Sequence, residues 1–330
     1  MEKAVVKQRS LLPLGERGPI EGWMDDDVAS AATQLFGGGA PSGLLIVDAR
    51  ELLTSTTEVI GAQLGETHLK TWMALVTMHV VHGMPGDARV SSSAAELSRL
   101  VWGDDRARGG WNTRQLVRTL LDLNRAQFTV PGYDLVNQRP ADGVSATSLL
   151  ANLYVDDTIL KAFNYRGTHG LERADFGKAL GAKQRGTIAW RMAPDYAERL
   201  HDADLRRFDW TKAQQLRGSA LKLWMVFTST RVPYRPVLDS KTGLEMVEIP
   251  LTLDHCHALG VHNNNDAGRR RTLNEAGERV CAVDRSFQSF EAHGGRGQDS
   301  FLRVVRKPPL TSTLARPFNG APQELRLLVA

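Results

Sequence analysis

Apolar positions recur at helical spacing in two stretches that carry the same five-residue pattern, Leu69-Lys70-Thr71-Trp72-Met73 and Leu221-Lys222-Leu223-Trp224-Met225. In the first, Leu69, Trp72, Met73, Val76 and Val80 share one side of a helix that Thr67 can cap and that Gly83-Met84-Pro85-Gly86 ends. In the second, Leu216, Ala220, Leu223, Trp224 and Phe227 line a helix running from Trp210, with Asp209 as its cap, to about Thr228. The elements after each copy also repeat. A β-prone stretch comes first, then a short helix started by Ser or Thr. Next is a helix with arginine two residues before its first core leucine, Arg114-Gln115-Leu116 and Arg271-Thr272-Leu273. Two strands around a turn-rich tip close each set. This order, given twice, predicts an α+β chain of two tandem winged-helix units, each a helix-turn-helix followed by a β-hairpin wing.

In the first unit, Ser93-Ala94-Ala95-Glu96 has the form of a capping box ahead of the Leu97, Leu100, Val101 stripe. Asn112 can cap the next helix, whose inward positions are Leu116, Leu120 and Leu123, with Arg114, Arg118 and Arg125 on the opposite face. A solvated face ordinarily mixes its charges, so three stacked arginines point to a polyanion. Residues 126–130 and 144–153 read as strands, with 131–143 as the wing or loop between them. In the second unit, Pro233 and Pro236 end the first helix, and 237–249 reads as a hairpin turning at 239–243. Thr252 starts a short helix over 253–259. Asp266 ends the turn Asn263-Asn264-Asn265-Asp266 and caps the helix bearing Arg269, Arg270 and Arg271. There Leu273, Ala276 and Val280 face inward and Arg271, Asn274 and Glu275 outward. Residues 281–290 and 301–305 flank a glycine-rich tip at 293–298 that carries Arg296.

The chain therefore divides into a flexible N-terminal segment (1–43), a first winged helix (44–157), a mixed connector (158–205), a second winged helix (206–307) and a tail (308–330). The first segment holds a helix-like piece at 24–36 and a glycine-rich break at 37–43, and Leu44-Leu45-Ile46-Val47 reads as a buried strand.

A length of 330 residues suits two domains, and 42% hydrophobic residues are enough for real cores. The charge of +4 is mildly basic and unevenly placed: residues 261–310 hold nine Lys/Arg against six Asp/Glu. Two cysteines, Cys256 and Cys281, offer no disulfide framework and fit a reduced, cytoplasmic compartment. No long apolar run marks a membrane span, and the N-terminus lacks the pattern of a signal peptide.

Candidate catalytic motifs are incomplete. His255-Cys256-His257 looks like the metal-holding pair of rolling-circle nickases, but no tyrosine follows Tyr234 and the first in the chain is Tyr133, so the nucleophile is misplaced. His257 and His262 have the spacing of a zinc pair without the companion cysteines. Tyr154-Val155-Asp156-Asp157 looks like the hairpin of reverse transcriptases, yet no upstream segment resembles that family's other motif. The break at 37–43 lacks the lysine of a phosphate-binding loop. The expectation is a binding protein, not an enzyme, with no metal and no cofactor.

Over residues 220–306, and more loosely 66–154, the chain resembles the two-winged-helix plasmid replication initiators, a likeness covering about two thirds of its length. It rests on the tryptophan-bearing first helix, the Ser/Thr-capped second, the arginine-bearing third and the aromatic-flanked wing, all repeated. The resemblance implies that the C-terminal unit makes the main contact with repeated origin sites on double-stranded DNA. It implies that the N-terminal unit adds DNA contacts and forms a homodimer, and that host replication proteins are recruited as the origin opens. Carried over by position, Arg271, Asn274 and Glu275 would read bases, Arg269, Arg270 and Arg296 would hold phosphates, and Arg114 and Arg118 would serve the first unit. Glu275 stands where Arg118 stands in the first copy, and a glutamate can accept from cytosine. A transcriptional or partition regulator built from the same parts is the alternative.

Overall fold

A computed structural model describes residues 21–25, 42–43, 57–60, 64–103, 110–134, 139–156, 159, 186–194, 197, 200, 205–228, 236–259, 261, 263, 265–295 and 298–309. Strands β1 (Glu21–Asp25), β2 (Ser42–Gly43) and β3 (Thr57–Ile60) come first. The first unit then runs through α1 (Glu66–Val81), β4 (Arg89–Ser93), α2 (Ala94–Trp102) and α3 (Gly110–Arg125). A hairpin of β5 (Gln127–Asp134) and β6 (Arg139–Ser148) is next, then β7 (Leu150–Val155) and β8 (Thr187–Met192). Strand β9 (Leu205–Asp209) and helix α4 (Trp210–Gln215) lead into the second unit. Its elements are α5 (Ser219–Thr228), β10 (Val237–Asp239), β11 (Leu244–Pro250), α6 (Leu253–Ala258), α7 (Asp266–Val283), β12 (Phe287–Gly295) and β13 (Gln298–Arg306).

Each unit sets three helices against an antiparallel sheet. The strand orders β4-β8-β7 and, within the second sheet, β11-β13-β12 are the same: entry strand, last wing strand, first wing strand. The first wing is not where the sequence pattern suggests. Residues 131–134 and 139–143 belong to strands β5 and β6, which pair antiparallel and extend a separate sheet with β2 and β3. The strand expected over 144–153 breaks at Leu149, and its second half pairs with β8, from the stretch read as a connector. Strand β8 has the period of a half-buried strand, with Ile188, Trp190 and Met192 in the core. Strand β1 lies in the segment read as flexible and pairs antiparallel with β9, Glu21 opposite Asp209 and Asp25 opposite Leu205. Met24 and Asp25 are thus extended; the rest of the helix expected at 24–36 lies outside the described residues, as do the strand at 44–47 and most of the tail.

Helix boundaries follow local chemistry. Gly65, not Thr67, is the cap of α1, and its N–H donates to His68 Nδ1 at 2.9 Å. Ser93 Oγ accepts from Glu96 N at 3.1 Å as the capping box requires, but the Glu96 carboxylate accepts from Ser92 Oγ at 2.7 Å. Helix α3 begins at Gly110, so Asn112 sits inside its first turn instead of capping it. The helix expected from 210 to 228 is two helices, because Leu216 is extended and Gly218 adopts φ +56°. Asn265, not Asp266, caps α7 by accepting from Gly268 N, and the helix continues through Cys281 to Val283. The β10–β11 turn forms as expected: Asp239 Oδ1 accepts from Lys241 N at 2.9 Å, Oδ2 from Thr242 Oγ1 at 2.7 Å.

The repeated pentapeptides lie in the hydrophobic core. Every residue from Leu69 to His79 in α1 and from Ala220 to Thr228 in α5 is buried, so both helices are enclosed on all sides. The chain between α4 and α5 is gripped by the first unit. Lys70 Nζ pairs with Glu66 Oε1 at 3.1 Å and donates to Leu216 O at 2.9 Å, while Gly218 N donates to Glu66 Oε2 at 2.8 Å. Gln214 Nε2 donates to Arg99 O and Leu100 O near the end of α2. Burial lowers the pKa of both Lys70 and Lys222, and Glu66 opposes it in each case. Lys70 pairs with Glu66 directly, and the same carboxylate favours the charged form of Lys222. No helix among the described residues is long and apolar enough to cross a membrane.

Candidate nucleic-acid interface

Helix α7 is fastened to its wing along one side. At its start Arg270 Nη1 donates to Asp266 Oδ2 and to Ser300 Oγ, and Ser300 Oγ in turn donates to Asp266 Oδ2 at 3.0 Å. Midway, Asn274 Oδ1 accepts from Ala292 N at 2.6 Å and Nδ2 donates to Ala292 O at 3.4 Å. Beyond that Gly277 lies against Phe290, whose ring meets Phe227 edge-on at 5.0 Å. At the end Asp284 accepts from Lys212 Nζ, from Trp224 Nε1 at 2.8 Å each, and from Ser286 N at 3.0 Å. Below the helix, buried Arg306 donates to Phe227 O and pairs with Glu245 at 3.1 Å, closing the end of α5.

This fastening divides the residues expected to touch DNA. Asn274, expected outward, is about 100° from Leu273, and the wing strand occupies that side and takes both ends of its amide. Arg269 and Arg270 also turn inward. Arg269 donates to Asn263 O at 3.3 Å and pairs with Asp266 at 3.7 Å, and both guanidiniums are largely buried. These two arginines hold the turn before α7 and the wing to its first turn. Arg271 and Glu275 do face outward, paired at 2.9 Å, with the Arg271 side chain 81% exposed. Glu278 and Arg279 continue that face, which is therefore balanced in charge. Arg296 lies outside the described residues.

The corresponding face of α3 has a different balance. Arg118 and Arg125 are exposed and Arg114 is half-buried. The one carboxylate among them, Asp122, accepts from His68 Nε2 at 3.3 Å. Since His68 Nδ1 already accepts from Gly65 N, its ring is the neutral Nε2–H tautomer, and burial lowers its pKa in spite of Asp122. Helix α3 also begins a turn earlier than its leucines suggest, which brings Trp111 onto it at 57% exposure. An indole in a run without apolar periodicity gave no signal of this.

The fold is that of tandem winged helices. No protein-family model matches the chain, and no curated protein does. Among solved structures it is similar to domain 2 and domain 3 of RctB, crystallised as selenomethionine derivatives, with a TM-score of 0.50 and 12% identity over 85% of this chain and 98% of that one. A second structure of RctB domains 2-3 matches at TM-score 0.42 and 11% identity, over 77% and 87% of the two chains.

Parts of the incomplete catalytic motifs lie among the described residues. His255 Nδ1 is 2.7 Å from Pro250 O and Cys256 is buried on α6, while the His257 and His262 side chains lie outside the described residues. Tyr154 is exposed on β7, and Asp156 N donates to Thr187 O where the wing strands part. Among the described residues no three His, Cys, Asp or Glu side chains group as a metal site would require.

Proposed function

We propose that this protein binds double-stranded DNA sequence-specifically and initiates plasmid replication from repeated origin sites, recruiting host replication proteins as the duplex opens. The observation that carries the reading is that one chain bears two winged-helix units, each leaving arginines exposed on its third helix: Arg118 and Arg125 on α3, Arg271 on α7. A third helix of this kind fits the major groove, and an arginine fork matches the N7/O6 edge of guanine. Arg271 and Glu275 act as readers, Arg114, Arg118 and Arg125 as the charged face of the first unit, and Arg296 as a phosphate contact of the second wing. Arg269, Arg270 and Asn274 position α7 from behind. A homodimer forms through the first unit.

Equilibrium titration of the full chain on duplex DNA tests the binding. Log K should fall linearly with log salt, at a slope of about −0.9 per phosphate neutralised. Arg271→Ala should cost about 1–3 kcal/mol on the preferred duplex and relax preference at one base pair, and Arg271→Lys should not restore it. Weak, salt-insensitive affinity for every duplex would refute the reading. Whether the gene with its flanking repeats sustains a plasmid separates an initiator from a regulator.

A further inference from the structure

Along α3, Trp111, Gln115, Arg118, Asp122 and Arg125 succeed one another at steps of four and three residues and so form a single stripe. Four of the other tryptophans, Trp72, Trp190, Trp210 and Trp224, are buried, and Trp102 is partly buried against the core. Trp111 is the described tryptophan that faces outward, on a stripe whose exposed charges are cationic. The repeat makes its position more informative. Aligning Arg114-Gln115-Leu116 with Arg271-Thr272-Leu273 sets Trp111 opposite Gly268 and Gln115 opposite Thr272. Thr272 is engaged by Asn263 Nδ2 at 2.6 Å, and a side chain at 268 would meet Asn265 Oδ1 at 2.8 Å. In the second unit a side chain at this position would push against the Asn265 cap of α7.

We infer that Trp111 and Gln115 read an A·T pair in the major groove, the indole packing on the thymine 5-methyl and the Gln115 amide pairing with adenine N6 and N7. The inference rests on the duplex-DNA reading above and deepens it. Residues in the first turns of a recognition helix reach base edges, thymine offers the major groove its apolar group, and an amide of this length matches adenine in two bonds. Arg118 and Arg125 lie further along the same stripe, where they draw the phosphates that hold the helix in the groove.

The test starts from a duplex that the full wild-type chain enriches from a randomised pool. That duplex is remade one position at a time with uracil for thymine, which removes only the methyl, or 7-deazaadenine for adenine, which removes only N7. Wild type, Trp111→Ala and Gln115→Ala are titrated on each. At one A·T pair, uracil should weaken the wild type roughly four-fold, as expected for one buried methyl, and leave Trp111→Ala unmoved. At the same pair 7-deazaadenine should weaken the wild type about five-fold or more and leave Gln115→Ala unmoved. Trp111 is exposed, so the variant should keep the wild-type circular dichroism. Wild-type indifference to every uracil, or a Trp111→Ala variant that stays methyl-sensitive, overturns the inference while salt-dependent duplex binding survives. So does an effect of Trp111→Ala confined to single strands. Failure of the wild type to enrich any duplex overturns the DNA reading and this inference with it.

Discussion

Burial alone would raise the Asp284 carboxyl, yet hydrogen bonds from Lys212, Trp224 and Ser286 hold it below the ordinary carboxylate range. Its folded pKa lies below the unfolded value of about 3.9. The stability it contributes is therefore present above that value and lost as pH falls through the folded pKa. Asp284→Asn should cost about 2–3 kcal/mol at neutral pH, less than a fully buried pair because Lys212 is about a third exposed. The loss should shrink as pH falls below about 3.9, so urea denaturation of both proteins from neutral pH into that range should give converging curves; parallel curves would contradict this role. Little of this was legible in the sequence, because Lys212 and Trp224 lie 72 and 60 residues before their partner. The same holds for Asn274 and Arg270: helical phase places them, but only the position of the wing shows which side is already occupied. Arg271 and Glu275 could be placed by phase alone, since that face is exposed among the described residues.

At Gly277 two helix-level effects oppose one another. Alanine is the better helix former by about 1 kcal/mol. A Cβ at 277, however, would lie 2.5 Å from Phe290 Cβ and 2.7 Å from the Phe290 carbonyl oxygen, and the second of these is backbone. Overpacking wins, and Gly277→Ala should destabilise the chain by about 1–3 kcal/mol. Glu278→Ala, one residue on and exposed, should stay within about 0.5 kcal/mol. Chemical denaturation of the pair decides: a neutral Gly277→Ala would mean that helix and wing can part at little cost. The order of the elements was legible because helical and strand periods announce themselves locally, as in α1, α6 and the β10–β11 hairpin. The first wing was not. Strand β8 has a clear alternation of its own, but it is separated from β7 by residues 156–186, while β5 and β6 offer a nearer hairpin. The break between α4 and α5 is hidden for a related reason: Leu216 keeps the apolar period across it, and a single glycine changes the direction of the chain.

For the molecule as a whole, Glu66 links the units, taking Lys70 and the Gly218 amide at once beside the buried Lys222. Glu66→Ala should leave the buried Lys70 without the carboxylate it pairs with and cost about 2–4 kcal/mol, discounted because Glu66 is 31% exposed. Since buried residues of both units form one continuous cluster, calorimetry of the wild type should show a single transition. Two separate peaks would mean that the grip on residues 216–218 carries little energy. The pairing of β1 with β9 bears on how such a chain is made. Asp25 must wait for Leu205, about 180 residues later. At ribosomal rates of about 5–20 residues per second that is roughly 10–40 s during which an edge-forming strand has been synthesised but has no partner. Strand β4 waits in the same way for β8. The sheet of the first unit cannot be completed in the order of its synthesis, so the nascent chain should be most vulnerable to proteolysis until residue 209 has emerged, and less so thereafter.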